Sequence, residues 1–333
     1  MQKKRSWSGL MLMGLVAVGL LAWAAPAAAA GSGGDDRSDR SNLSFLFDKD
    51  AFGIMGSQAG GGGSQGSSKL SIRLYGGYGH IAAGDVNDGA DYYFEILEIY
   101  SAQGFGTVTG GYKPLHGGYD FGADLIYQIT PRIGLGLGAG FMRNSSHSLG
   151  NWTYVDDDVD ITVDSTLSAI PIRLGVFFTV PVGGRLNLTA DVGAAYYLGL
   201  KLDATQRLDF ADASWMEMSV GSTEAGSSNI GFHGSLGFEY KLSQMMGLFV
   251  EAAGRYAKLS NFDAVTGIQN SSGGGGDTTD GKLYIATQTD PDFPVSGFTI
   301  EETPPVDDEF TTYREPKVDL SGFSLRAGIR IRF

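Results

Sequence analysis

The chain has 333 residues, 37 acidic and 24 basic, for a formal net charge of −13, with 51 glycines and no cysteine. The lack of cysteine excludes a disulfide framework, a thiolate metal site and a lipidated N-terminal cysteine. An acidic chain with no basic stripe is unsuited to nucleic acid, whose phosphates need clustered Lys and Arg.

Lys3, Lys4 and Arg5 precede an apolar run from about Leu10 to Ala25 and the small residues Ala27–Ala30. This is the layout of a secretory signal peptide over residues 1–30. The alternative is an uncleaved anchor, because Gly9–Ala30 is nearly long enough to span a bilayer, but its small-residue end would anchor poorly. Loss of the three leading bases takes the charge to −16. Residues 31–68 are Gly/Ser-rich, as in AGGGGSQGSS from Ala59 to Ser68, and read as a flexible periplasmic segment. Only Ser44–Met55 within it is apolar enough to dock on anything. No later segment approaches the ~18 apolar residues of a transmembrane helix.

From Lys69 the hydrophobic period is 2 over eight segments. Leu70, Ile72, Leu74 and Tyr78 alternate with Ser71, Arg73, Tyr75 and Gly77. Tyr119, Phe121, Leu125 and Tyr127 then alternate with Asp120 and Asp124, and Ile133, Leu135, Leu137 and Phe141 with glycines. Ile170, Ile172, Leu174 and Phe178 oppose Pro171, Arg173 and Gly175; Leu186, Leu188, Val192 and Tyr196 oppose Asn187 and Asp191. Three more segments follow: Ile230 to Tyr240 with Glu239 on the polar face, Leu248 to Tyr256 with Glu251 and Arg255, and Phe323 to Phe333 with Arg326, Arg330 and Arg332.

The segments are longer than ordinary globular strands and long enough to cross a bilayer at a tilt. Tight connectors at Pro131, Pro181–Gly184 and Leu242–Met245 alternate with long ones at 83–117, 145–165, 201–228 and 261–316. Aromatic residues gather toward the ends of the apolar faces. Short turns, long outer loops and aromatic girdles mark a membrane barrel, and lipid leaves an open sheet edge without partners. The pattern therefore predicts an all-β fold over residues 69–333: a closed antiparallel transmembrane β-barrel of eight strands with long outer loops, both termini periplasmic. Ten strands are the alternative if Lys282–Thr289 and Ser296–Glu301 pair.

The C-terminal FSLRAGIRIRF, alternating through Phe323, Leu325, Ile329 and Ile331 and ending on Phe333, resembles the last strand of the small bacterial outer-membrane barrels, the OmpA-like, OmpX-like and OmpW-like proteins. The resemblance covers about residues 69–333. It implies integral residence in a bacterial outer membrane, contact with its lipid, and recognition of those five residues by the barrel-assembly machinery. That group's functions range over adhesion, membrane tethering, small-solute passage and enzymology. No peptidoglycan-binding domain is expected after Phe333.

Measured in depth from the tight turns, Arg73, Asp124, Arg173, Asp191, Glu251, Arg326 and Arg330 fall at similar heights on the inward faces. Buried charges must pair, so this belt reads as a salt-bridge plug; a charged ring meeting water would instead be a filter. The long connectors hold 26 acidic and 5 basic residues. Their densest run, Asp156, Asp157, Asp158 and Asp160, suits weak binding of Ca²⁺ or Mg²⁺, against the plain reading of a solvated acidic surface. DVNDGAD (Asp85–Asp91) resembles a calcium loop with its glycine one place early.

Catalytic signatures are scarce. GGSQG (Gly62–Gly66) matches a nucleophile elbow by letter but lies in a glycine tract. His116 and His147 lie in or near outer loops, and Asp156–Asp158 share the second of these, which leaves a hydrolase as the least favoured reading. No cofactor is called for. The sequence expects a non-enzymatic barrel displaying acidic loops for surface binding, adhesion or envelope integrity, with an extracellular ligand it does not specify. A narrow porin-like channel is the alternative.

Overall fold

The computed structural model describes residues 69–333, other than 155–156, 226–228, 272–277, 291–292 and 310. The expected leader (1–30), the Gly/Ser-rich segment (31–68) and Asp156 lie outside the described residues, as does the side chain of Asp157. In chain order come β1 (Leu70–Gly84), α1 (Asp85–Ala102), β2 (Thr107–Gly111), β3 (Gly117–Gln128), β4 (Ile133–Tyr154), β5 (Asp157–Gly183), β6 (Leu186–Phe210) and β7 (Trp215–Ala225). Then follow β8 (Ile230–Lys241), β9 (Met246–Tyr256), β10 (Lys258–Leu259), β11 (Phe262–Asn270), β12 (Thr278–Gln288), β13 (Ser296–Glu301), β14 (Thr311–Arg314) and β15 (Val318–Arg332).

Eight strands pair in a ring, all antiparallel. β1 pairs with β3, β3 with β4, β4 with β5 and β5 with β6. β6 pairs with β8, β8 with β9, β9 with β15, and β15 returns to β1. The register sets Arg73 opposite both Asp124 and Arg330, and Arg326 opposite Glu251. Polarity is inverted relative to a water-soluble sheet: Leu174 is 64% exposed, while the neighbouring Arg173 is 7% exposed. Leu125, Leu137, Val192, Leu236, Val250 and Leu325 face outward with it. A soluble protein does not expose so continuous an apolar belt.

Three tight turns close one end of the ring. The Thr130 hydroxyl accepts from the Arg132 and Ile133 N–H groups at 3.2 and 3.0 Å, and the Ser243 hydroxyl from Met245 and Met246 at 3.2 and 3.0 Å. Gly184 (φ +49°) supplies the left-handed residue between β5 and β6. The Phe333 N–H donates to the Leu70 carbonyl at 2.9 Å, so the last residue lies beside the start of β1 at this same end.

At the other end the structure departs from the expected loops. β4, β5 and β6 run for 22, 27 and 25 residues. At ~3.4 Å per residue such strands reach about 75–90 Å, far beyond the ~30 Å of bilayer hydrocarbon. Their outer halves carry the same sheet onward into an outer part, the outer sheet, ordered β2-β4-β5-β6-β7-β11-β12-β13, with β14 also on β12. β6 changes partner from β8 to β7 around Gly199 (φ +54°). That residue resets the alternation: Ala195 and Tyr197 point inward before it, Leu200 and Leu202 after it. β12 and β13 do pair, as the ten-strand alternative required, but in this outer sheet, so the ring keeps eight members.

The reason the connectors read as loops is a reversal of polarity. From Val159 to Phe177 the odd-numbered positions of β5 face inward, but in the outer half they are Val159, Ile161, Val163 and Leu167, with Asp158, Asp160, Thr162 and Asp164 outside. The outward face here meets water, not lipid, so its acids have the look of loop residues. α1 is hidden for a similar reason, since DVNDGAD begins a helix whose Val86, Ala90, Tyr93, Phe94 and Leu97 recur at helical spacing and are buried. Asp85 and Asp88 sit in its first turn, where the helix dipole favours them. α1 packs on both margins of the outer sheet, Gly89 against Phe298 of β13 and Phe94 against Gly150 of β4.

Candidate functional site

The inward faces of the ring strands bring ionisable side chains from β1, β3, β5, β6, β8, β9 and β15 into one buried network. Arg173 donates to Asp124 at 2.7 Å. Arg73 donates to Glu251 and lies 3.9 Å from Asp191, and Arg326 lies 3.7 Å from Glu251. The seven residues expected in the belt are thus inside the ring, and six of them pair among themselves. Arg330 does not join them: it pairs with Glu239 at 3.2 Å, nearer the tight turns, and Glu239 also accepts from Arg332.

Four partners escape a count of depth from the turns. Glu239 and Arg332 form the layer at the tight-turn end. Asp120, one inward position beyond Gly122 and two beyond Asp124, accepts from Arg326 Nε at 2.8 Å and lies 3.5 Å from Arg255. All four lie on the polar face of their strands, where the alternation already puts them; counting from turns leaves them out of the belt because strand tilt and stagger shift heights around a barrel. Aromatic rings complete the layer. Tyr75 lies between the guanidinium groups of Arg173 and Arg326, at 4.9 and 4.8 Å, and Arg73 lies over Phe249 at 4.0 Å. His233, 3.6 Å from Asp191, is the one inward histidine among the described residues.

Above this network the interior turns apolar. Ile81, Leu115, Met142, Leu167, Tyr197 and Leu320 form a buried cluster continuous with Val86 of α1. Five of the six come from ring strands. Leu115 comes from the connector before β3, which is held by side-chain bonds. Asn87 of α1 accepts from the Leu115 N–H at 2.8 Å and the Tyr112 hydroxyl at 3.0 Å, Ser148 accepts from the Lys113 N–H at 2.9 Å, and Asn144 donates to the His116 carbonyl at 3.1 Å.

Of the expected metal cluster, the side chains of Asp158 and Asp160 are described and those of Asp156 and Asp157 are not. Asp158 and Asp160 both accept from Asn151, at 2.8 and 3.0 Å, and Asp158 also accepts from Thr153. Among the described residues no group of three or more His, Asp or Glu is placed to hold an ion. His147 lies 2.7 Å from Asp164, while Ser146 and Ser148 point to the opposite, buried face. His116 stacks on His80 at 4.6 Å and holds the Ile81 carbonyl at 3.0 Å. On α1, burial and repulsion from Glu95, Glu98 and Asp88 push the Asp91 carboxyl up to about 6. Burial, then the neighbouring acids, also raises Asp88 and Glu95.

No protein-family model and no curated protein matches the chain. Among solved structures it is similar to the outer membrane protein OprG from Pseudomonas aeruginosa, at 14% identity over 81% of this chain and 99% of that one, with a TM-score of 0.30. A major outer membrane protein from Thermus thermophilus gives 13% identity, 79% and 99% coverage and a TM-score of 0.32. CarO from Acinetobacter baumannii gives 14%, 79%, 97% and 0.29. Identities this low leave function to the chain's own residues.

What decides location is the belt. Tyr127, Phe178, Tyr240 and Phe333 lie toward the tight-turn end, Tyr78, Tyr119, Phe141, Tyr196, Tyr256 and Phe323 toward the other, and exposed aliphatic side chains lie between. Strands with that outer face suit hydrocarbon flanked by two interfaces, the outer-membrane-type arrangement. The chain is an integral outer-membrane protein. The last strand contributes Phe323, Leu325 and Phe333 to the exposed belt, with Ile329 and Ile331 on the same face.

Proposed function

We propose that the ring is a closed eight-stranded transmembrane barrel, of the small class that includes the OmpA-like, OmpX-like and OmpW-like proteins. It is delivered by the leader at 1–30 and inserted through its C-terminal strand. Its activity is a narrow, non-enzymatic passage for small polar solutes, shut in this conformation at the outer end. One observation carries this reading. The interior is polar from Arg332 near the turns to Asp120 and Arg255, and it is closed above by an apolar layer to which Leu115, a connector residue, contributes. A hydrophobic constriction over a charged interior gates by excluding water. The charge network narrows the path below it.

The outer sheet supports a second reading, display of an acidic surface for binding or adhesion. It presents Asp158, Asp160 and Asp164 on one face of β5. The two readings separate in a planar bilayer. The passage reading expects little or no conductance from the wild type and frequent openings from Leu115→Ala. Silence from both, with the variant folded, would leave the display reading.

A further inference from the structure

Below the apolar layer the interior is not electrically balanced. Six arginines meet five carboxylates among its described side chains. Arginine does not lose its proton in a protein, so the surplus persists at every ordinary pH. A buried charge without a counter-charge is strongly unfavourable.

The tight-turn end is where the surplus concentrates, because Glu239 alone serves both Arg330 and Arg332. A cavity of about 10 Å³ lies there, lined by Arg73, Arg330, Glu239 and Thr189 and walled by Phe177 and Phe249. It has room for a single water or a monatomic ion, and none for a sugar or an amino acid. Of its lining groups the Thr189 hydroxyl is a buried donor with no protein partner; Asn187 Nδ2 and Arg332 Nη1 are likewise unpartnered but belong to residues beyond the lining. Asn187 is 1% exposed and stands opposite Glu239 in the β6–β8 register; Thr189 is the next inward position along β6. Water alone would satisfy the donors but leave the charge.

We propose that this cavity is a site for one small monovalent anion of the halide class. The Arg73 and Arg330 guanidinium groups supply the charge, and the Thr189 hydroxyl supplies a neutral donor. Glu239 sets the lower limit of the site and keeps it weak and exchangeable, since its carboxylate repels the same ion. The inference rests on the closed-barrel reading but not on conduction.

The test is the ³⁵Cl line width of folded protein in detergent, at constant ionic strength, with chloride exchanged stepwise for gluconate. Saturable excess broadening, competed by bromide, is expected. Thr189→Val keeps every charge and should cut that broadening at least several-fold. Arg332→Gln, which removes the surplus, should do the same, and heat-modifiable migration checks that both variants fold. Broadening that survives in both folded variants means chloride binds elsewhere, and no excess broadening in the wild type means the cavity takes water only; either overturns the proposal. A barrel that never conducts but shows the broadening overturns the passage and keeps the site.

Discussion

At the scale of single residues, the interior network makes a prediction about partners rather than about individual charges. Arg326 donates to Asp120 and lies near Glu251, and all three are buried. Arg326→Ala leaves Asp120 with the Ser324 hydroxyl at 3.2 Å and, as its remaining charged partner, Arg255 at 3.5 Å, and should cost about 3–5 kcal/mol. Replacing the pair together, Arg326→Met with Asp120→Leu, removes two desolvated charges but leaves Arg255 without its carboxylate, so it should recover only part of that loss. Urea unfolding in detergent micelles, followed by tryptophan fluorescence, measures both. A double variant as unstable as the single one would show that the network, not the pair, holds these strands. The inward identity of Arg73, Asp124, Arg173, Asp191, Glu251 and Arg326 was legible in the sequence from period 2 alone. The pairing of Arg330 with Glu239 was not, because height in the ring depends on stagger between strands.

At the scale of elements, the membrane strands were legible and the outer sheet was not. A lipid-facing strand announces itself by Leu, Val and Phe at every second position, as in β4 from Ile133 to Phe141. Above the membrane the same strands keep their alternation but exchange its two faces, and the outward Asp and Thr residues of β5 mimic a loop. α1 has its own consequences. Gly89 faces the Phe298 ring so closely that a Cβ would lie 2.5 Å from it. Gly89→Ala should therefore lift α1 from β13, read as faster amide exchange in 86–97 with the ring strands unchanged.

The acids of the helix set a pH dependence. Asp91 is raised to about 6, so between its unfolded value near 3.8 and 6 the folded helix binds more protons than the unfolded one. The stability it contributes is present below that window and is lost as pH rises through 6. Exchange protection of α1 should accordingly be higher at pH 5 than at pH 7.5, and Asp91→Asn should flatten the difference. Equal slopes in wild type and variant would assign the effect to other groups. At the opposite end of the chain, Ile331 stands on the outer face of β15 against Ile72 and Met246. Ile331→Asp should cut the yield of heat-modifiable barrel in outer-membrane fractions, since a charge there meets lipid.

At the scale of the molecule, a charged ring interior lies under an apolar layer, and the outer sheet is tied to that layer through Asn87 of α1. On the passage reading, the layer alone separates the outside from the interior. The chain has no cysteine, so single thiols can be placed on a clean background. Ser235, on the inward face beside Asp191, lies below the layer. With Ser235→Cys in intact cells, a small membrane-impermeant thiol reagent added outside should fail to react, and should react once Leu115→Gly is added. Reaction in the first protein would mean the path is open at rest. No reaction in the second, with its thiol titratable after unfolding, would mean that Leu115 closes nothing.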